Sequence, residues 1–479
     1  MPSFAEIRCR TQEILGYRPC LWQIRVVEAI LKHDKDIIAI AATGSGKTLT
    51  FWMPLLFKKD GIQIVVTPLN ILGKQNVNNL AKLGIQGITV TAENATTQTF
   101  KDIENLKYQV IVTNIETFDK VDGGFDKLWK HEPFTSRVIS IIWDEGHCVS
   151  KWADFRPEYK TAGRLQYLIP QHIPFYVTLA TLPLIVLDDV KNTLHIRTDS
   201  AYIIERSNDR ANVSICVREM VHPAKSYLDL AFLIPENPEP GWRPPKFLIF
   251  FDDIAESIAV AKFLRKRLPP ELRHMIKWFN SDMSAEFRDD ESMKLKEGET
   301  WGLCCIESFG MGMDLPDIKL IIQWRASCDL CTLWQRFGRA VCDLKLQGQA
   351  LFLVESKYFA AELKRKAVER EAGKAPPKKR ARTSKGARDT SKEVTKEREM
   401  VIEGQSSEQD ADDVAHVPST TDAEAAMSTP TGKRGIRKVE EIEPALDDMI
   451  NTKDRPVQCS RWPLVVYFRQ NKNGVLSDL

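Results

Sequence analysis

The stretch Ile37-Ile38-Ala39-Ile40-Ala41-Ala42-Thr43-Gly44-Ser45-Gly46-Lys47-Thr48 decides how this 479-residue chain is read. Four apolar residues predict a short buried strand. A loop with two glycines follows, and then a helix opens. The spacing is that of a phosphate-binding P-loop with Ala41 in the first glycine position. Gly44 and Gly46 let backbone N–H groups close around phosphate oxygens, and a helix N-terminus attracts the same charge. Lys47 is spaced to reach the β- and γ-phosphates, and the Thr48 hydroxyl to hold Mg2+. Thr43, Gly44, Ser45, Gly46, Lys47 and Thr48 are therefore candidate nucleotide-binding residues. A Gly/Ser-rich turn before a helix is the purely structural alternative.

Downstream, the apolar run Arg137–Ile142 ends in Trp143-Asp144-Glu145-Gly146-His147. An acidic pair at the end of a buried strand, roughly 100 residues beyond a P-loop, suits metal-bound water chemistry. Asp144 is expected to bind Mg2+ through water, and Glu145 to polarise the attacking water. Alone, such a pair is as readily a helix cap or a solvated loop.

Similar apolar runs rich in β-branched residues recur at Ile37–Ala41, Ile62–Val66, Gln109–Val112 and Phe175–Thr178. Continuous apolar strands alternating with amphipathic stretches imply parallel sheet covered on both faces. A Pro-rich break at Asn237–Pro245 interrupts the pattern, which restarts at Phe247–Phe251, Gly302–Ile306, Leu320–Trp324 and Ala350–Val354. The predicted fold class is α/β, two tandem P-loop-type domains followed by a disordered tail. Residues 1–205 form the first domain, 206–245 an inter-domain segment and 246–370 the second domain. Residues 371–450 read as a disordered charged tail, and 451–479 as the remnant of a further subdomain.

Composition narrows the class. Lys plus Arg is 67 and Asp plus Glu 65, a formal net charge of +2, which excludes a uniformly basic nucleic-acid coat and an acidic solvating chain. No apolar run approaches the roughly 18 residues of a membrane span, and Glu6, Arg8, Arg10 and Glu13 occupy the place of a signal peptide's apolar core. Ten cysteines without a secretory signal read as reduced thiols in a cytosolic or nuclear compartment. The near-zero total hides opposite blocks. Between Ala360 and Arg461 there are 102 residues without an aromatic, with eleven Lys/Arg over Glu362–Arg388 and seven Asp/Glu over Glu403–Glu424. Such a segment buries too little area to offset chain entropy. Lys364-Arg365-Lys366, eleven residues, then Lys378-Lys379-Arg380-Ala381-Arg382 has the layout of a bipartite nuclear import signal; the alternative is a solvated basic tail that binds DNA phosphates.

Together these residues resemble the superfamily-two helicases, and within them the RecQ family of DNA helicases, over about residues 16 to 355. The resemblance is to a short, fungal-type form without a complete zinc/winged-helix region. Asp144-Glu145-Gly146-His147 looks like the DEAH box, with Gly146 in the alanine position. Cys148-Val149-Ser150-Lys151-Trp152-Ala153-Asp154-Phe155-Arg156-Pro157-Glu158-Tyr159 resembles the aromatic-rich loop that couples single-stranded DNA binding to hydrolysis. Trp152 and Phe155 are placed to stack on bases and Arg156 to pair with phosphate; aromatic packing against the next helix is the alternative. Tyr17-Arg18-Pro19-Cys20-Leu21-Trp22-Gln23 sits where the adenine-reading motif belongs, with Gln23 as the reader. Thr67-Pro68-Leu69 through Gln75, and Thr113-Asn114-Ile115-Glu116, resemble DNA-contacting motifs. Thr178–Pro183 occupies the motif that links hydrolysis to domain movement. Ile306–Asp314 resembles T-x-A-F-G-M-G-I-D, and Gln335–Asp343 resembles Q-x-x-G-R-A-G-R-D.

The resemblance implies two domains with ATP and Mg2+ between them. Lys47, Asp144, Glu145 and Arg339 are the catalytic candidates, Gln23 and Asp314 further nucleotide contacts, and His147, Thr67 and Gln335 coupling or DNA contacts. It implies a motor on single-stranded and duplex DNA moving 3′ to 5′ in recombination or repair, in the nucleus and away from membranes. Three further features depart from the pattern. Cys342 stands where a second arginine reaches the γ-phosphate, and Ile306 replaces a threonine. Cys459-Ser460-Arg461-Trp462 through Phe468 starts like a zinc subdomain without the further cysteines, and one thiolate cannot hold structural zinc. Cys328/Cys331 reads as structural.

The competing readings are an ATP-dependent helicase, a nucleotide-gated DNA-binding protein with impaired hydrolysis, and an RNA helicase of the same superfamily. Loss of an arginine finger can cost roughly 10³ in turnover. Cys342→Arg is therefore expected to raise DNA-stimulated ATP turnover in a steady-state assay. A rate identical to wild type would remove Cys342 as the cause of any deficit.

Overall fold

Branched apolar runs become strands because both faces of each are covered. The computed structural model describes residues 1–68, 73, 77–78, 80–153, 156–169, 172–180, 184–197, 201–236, 239, 241–280, 282–306, 315–343, 345–360, 362, 365, 442–455 and 458–469. Met1–Ala367 and Ile442–Leu479 belong to one compact unit.

Its first sheet has seven parallel strands in the order β3-β4-β2-β5-β6-β1-β7. These are β1 (Ile37–Ile40), β2 (Ile62–Val66), β3 (Gly87–Val90), β4 (Val110–Thr113), β5 (Val138–Trp143), β6 (Phe175–Leu179) and β7 (Tyr202–Glu205). The two-residue pleat sends Ile38 and Ile40 into one apolar layer and Ile37, Ala39 and Ala41 into the other. The second sheet has six parallel strands, ordered β10-β11-β9-β12-β13-β8. They are β8 (Val213–Glu219), β9 (Phe247–Phe250), β10 (Ile276–Phe279), β11 (Gly302–Cys305), β12 (Leu320–Trp324) and β13 (Gly348–Val354). Leu248 and Phe250 face one layer, and Phe247, Ile249 and Phe251 the other.

Two spans differ from the reading of the sequence. The segment 206–245, expected to link the domains, supplies β8, which pairs with β13 over its whole length. Its run Val213-Ser214-Ile215-Cys216-Val217-Arg218-Glu219 alternates because it lies at a sheet edge with one face wet. The other difference is at the far end. Within 371–450, expected to be disordered, Pro444–Ile450 is a helix, and Leu446, Met449 and Ile450 are buried in the second domain's core. Leu464, from the helix Trp462–Arg469, joins them. The aromatic-poor count missed Leu446, Met449 and Ile450 because aliphatic side chains bury area equally well. Residues 371–441 lie outside the described residues.

In parallel α/β sheets the loops beyond the carboxyl ends of the strands gather chemistry. Here β1 delivers the P-loop and β5 delivers Asp144 to the same edge.

Candidate active site

The P-loop backbone matches its glycine spacing. Gly44 and Gly46 both have φ +79°, a region costly for side-chain-bearing residues. A Cβ on Gly46 would stand 2.8 Å from Gln23 Nε2, so the loop is closed against that side chain. Gln23 is 4 % exposed. Its Nε2 donates to the carbonyls of Gly46 (2.9 Å) and Ser45 (3.4 Å), and its Oε1 accepts the N–H of Cys20 at 2.7 Å. The expected adenine reader thus braces the loop from behind. Thr48 is exposed at the start of the helix Leu49–Trp52. Lys47 Nζ donates to the carbonyls of Ala41 (2.7 Å) and Ala42 (3.3 Å). Burial lowers its pKa, while Glu145 and Asp144 pull it back up.

At the end of β5, Asp144 Oδ1 accepts the Thr178 hydroxyl at 3.0 Å and the Glu145 N–H at 3.0 Å. Burial and the neighbouring Glu145 push the Asp144 carboxyl up to about 6, against the pull of Lys47. Glu145 carries a left-handed backbone, φ 50°, a conformation costly for a residue with a side chain. Burial pushes the Glu145 carboxyl up, but His147, Lys47 and Arg339 outweigh this and hold it below its ordinary value. His147 is buried with Nδ1 3.4 Å from Glu145 Oε2, and burial takes it down to about 4. Gly146 has its own reason to be glycine. Its N–H donates to the Thr178 carbonyl at 2.8 Å, and a Cβ there would stand 2.4 Å from Val177 Cγ1.

The second domain closes the site. Arg339 is buried and within electrostatic range of Glu145 and Asp144, with burial lowering its pKa. Cys342 lies against the P-loop: a Cβ on Gly44 would stand 3.4 Å from its carbonyl oxygen. Gln335 is half-buried on the helix Leu330–Phe337. Arg336 is 3 % exposed and is held by Asp252 and Gln323, both at 2.6 Å. It is committed to Asp252 and Gln323 of the second domain, and the guanidinium beside Cys342 is that of Arg210. The structure therefore brings Lys47, Asp144, Glu145, His147 and Arg339 into one space, with Thr48 on the loop beside them. Asp314 and Phe155 lie outside the described residues.

Around Arg156 three separate segments meet. Its guanidinium stacks 4.7 Å from the Trp152 ring centroid and donates to Glu116 (3.0 Å) and to the Pro68 carbonyl (3.3 Å). Trp152 is half-buried and packs on the first domain's core. Thr67 is 2 % exposed at the end of β2; its N–H bonds the Thr113 carbonyl and its side chain is not presented to solvent. The sequence reading missed Lys151, whose Nζ reaches Asp329 Oδ2 at 2.9 Å in the second domain. Burial raises the Asp329 carboxyl, but Lys151 and the Thr332 N–H outweigh it and hold it low. It also missed Arg210, which no local spacing marks.

Among the described residues no helix is long and apolar enough to cross a membrane, and no three His, Cys, Asp or Glu cluster to hold a metal by themselves. Asp144 with Thr48 fits the sparse protein ligation of Mg2+, which keeps waters and takes its other oxygens from phosphates.

Residues 21–190 match the DEAD/DEAH box helicase family and residues 242–343 the helicase conserved C-terminal domain. "ATP-dependent DNA helicase Q-like 2" of Arabidopsis thaliana is 29% identical over 335 residues, which are 67% of this chain and 44% of the relative. "ATP-dependent DNA helicase RecQ" of Pasteurella multocida is 25% identical over 345 residues (71% and 50%), and "ATP-dependent DNA helicase Q1" of Rattus norvegicus 27% over 335 (68% and 51%). The chain spans about half the length of these relatives. Among solved structures, the DUF1998 helicase MrfA bound to DNA and AMPPNP superposes with TM-score 0.61 at 15% identity, covering 77% of this chain and 53% of that one. S. cerevisiae Dbp5 bound to RNA and ADP BeF3 gives 0.55 at 16%, covering 78% and 94%. At such identities these two establish the fold, a pair of RecA-like domains.

Restoring the alanine of the resembled motif is expected to harm this chain. Gly146→Ala forces a methyl onto Val177 and should destabilise the first domain by about 1–3 kcal/mol, the usual cost of overpacking. A lower urea midpoint checks this; an unchanged midpoint would mean that Val177 moves aside freely.

Proposed function

Because the chain belongs to the RecQ-like superfamily-two helicases, we propose that it hydrolyses ATP and couples that hydrolysis to movement on DNA. One observation carries this reading: Lys47, Asp144, Glu145 and Arg339, drawn from two domains, lie within electrostatic range of one another, Arg339 buried and the other three half-buried. Lys47 leaves the Ala41 and Ala42 carbonyls for the phosphates, which offer it full charges instead of dipoles. Glu145, held ionised by Lys47 and Arg339, takes the proton of the attacking water. Arg339 meets the charge that develops on the transferred phosphoryl group. Mg2+, when bound by Asp144 and Thr48, supplies charge neutralisation between the phosphates.

DNA is the favoured track. Trp152 and Arg156 put an aromatic ring and a cation side by side, the two kinds of group that stack bases and contact phosphate. Lys151 links the same loop to Asp329 of the second domain, so the grip on a strand is felt across the cleft. Single-stranded and duplex DNA, 3′ to 5′ direction and a role in recombination or repair follow from the family analogy. A second reading is favoured by Cys342, which lies against Gly44 in the place of the second motif arginine, while Arg336 is committed to Asp252 and Gln323. In it the protein binds ATP and DNA and acts by occupancy, with slow turnover.

ATP turnover without nucleic acid, with single-stranded DNA and with RNA separates these readings, Lys47→Ala being the blank. Stimulation by DNA at least tenfold above RNA is expected; no turnover above the blank leaves the occupancy reading, and stimulation by RNA alone the RNA one. The same assay has a pH signature. Asp144 must be ionised and its carboxyl sits at about 6, so kcat/KM should fall as pH drops through 6. A profile flat from pH 7 to 5 would detach Asp144 from the reaction.

We further propose nuclear import through Lys364–Lys366 and Lys378–Arg382. Deleting 374–388 should spread a fluorescent fusion into the cytoplasm. An unchanged nuclear signal would defeat this address.

A further inference from the structure

Arg210 lies in the segment that the sequence reading left as a link, yet it is 4 % exposed and spends every N–H donor. Nη1 donates to the Thr43 carbonyl of the P-loop (2.9 Å) and to the Gly338 carbonyl (3.1 Å). Nη2 donates to the carbonyls of Ala340 (3.0 Å) and Val341 (2.8 Å), and Nε to Asn212 Oδ1 at 3.4 Å. Asn212 Nδ2 donates to the same Val341 carbonyl at 3.1 Å and to the Leu346 carbonyl at 3.1 Å. The backbone being held is unusual. Val341 has φ 33°, a conformation that a β-branched residue adopts only under constraint, and it occupies a position where the resembled motif has glycine. Two residues earlier is Arg339, and one later is Cys342.

A planar fork with five donors suits this place because it collects several carbonyls at fixed angles. Lysine can satisfy one or two of them. The segment carrying Arg210 is tied down in turn: Arg461 donates to the Arg210 carbonyl at 3.0 Å, to the Val213 carbonyl and to Asp209.

We propose that Arg210 is a positioning residue: it clamps the strained Gly338–Val341 turn to the P-loop carbonyl of Thr43, and so sets where Arg339 stands over the nucleotide. A strained turn persists only when its surroundings over-determine it, and Arg210 with Asn212 provides that. The clamp rests on the proposed hydrolysis, which it deepens by naming what aligns the one arginine left in the last motif.

The test compares full-length wild type, Arg210→Lys, Asn212→Ala and the double variant Arg210→Lys/Val341→Gly. Two readouts are taken, steady-state ATP turnover with single-stranded DNA and hydrogen–deuterium exchange of peptides covering 338–343. In Arg210→Lys, kcat should fall at least tenfold with KM for ATP within threefold, and exchange at 338–343 should rise. Glycine at 341 removes the strain, so the double variant should recover at least threefold in kcat over Arg210→Lys. Unchanged kcat overturns the proposal, as does a fall in kcat without raised exchange, or no recovery in the double variant. If Arg210→Lys does not fold, Asn212→Ala decides by the same two readouts, with a smaller fall in kcat expected. If wild type shows no turnover, the hydrolysis reading fails, and exchange alone then decides whether the clamp exists.

Discussion

Two cations and two carboxylates, Lys47, Arg339, Asp144 and Glu145, are drawn together where Arg339 is buried and the other three are half-buried. An isolated buried charge costs several kcal/mol or shifts its pKa until it is neutral. Here each group is tolerated because the opposite charges are there too. Asp144 records the balance most clearly: burial and Glu145 drive it up to about 6, and Lys47 prevents it from going further. His147 shows what happens without sufficient compensation, since Glu145 beside it does not stop burial from taking it down to about 4. Three of the four charges ride on the first sheet and the fourth on the second domain. The charge balance is therefore complete only when both domains face the same space.

Delivering those groups needs backbone that strands alone do not supply. Gly44 and Gly46 turn the chain at the end of β1 without penalty. Glu145 and Val341 make comparable turns with side chains, at φ 50° and 33°, at a cost of order 1–3 kcal/mol each. Neighbours hold both. The Glu145 N–H is bonded to Asp144 and the Gly146 N–H to Thr178, while the Val341 carbonyl takes donors from Arg210 and Asn212. The absence of a Cβ at Gly146 lets the turn after β5 lie flat on β6. A motif residue that differs from its family thus has a steric cause in this chain.

What was legible in the sequence follows how far each determinant reaches along the chain. β1, β2, β4, β5, β6, β9, β11, β12 and β13 appear as apolar runs because both their faces are buried. β7 and β8 do not, since they are edge strands, as is β3, whose residues Gly87, Ile88 and Thr89 are only half-buried. β10 carries Lys277 and Trp278 half-exposed at the other edge of the second sheet. The P-loop and the Asp144-Glu145 pair are legible because their chemistry depends on spacing over a few residues. Arg210 and the Lys151–Asp329 bridge depend on partners more than 120 residues away, and no local pattern encodes such a meeting. Thr67 shows the converse: a motif match names the segment, while the pleat decides whether its side chain faces solvent.

The segment 442–469 follows from the same reasoning about distance. Its opening Cys459-Ser460-Arg461 looks like the start of a metal-binding subdomain, yet Arg461 is used as a guanidinium on Asp209, Arg210 and Val213. At its other end Glu443 accepts the Leu330 N–H at 2.8 Å and the Tyr467 hydroxyl, alongside the Asp329 cap of the same helix. Ordering this segment against the second domain costs chain entropy. Burying Leu446, Met449, Ile450 and Leu464 offsets that readily, at about 1.5–3 kcal/mol for each fully buried side chain. Arg461 and Glu443 then fall on the two elements that frame the cleft, the strand start carrying Arg210 and the helix ending at Arg339's turn. Hydrophobic burial holds the segment on the second domain, and its polar groups bond the Arg210 carbonyl and the Leu330 N–H.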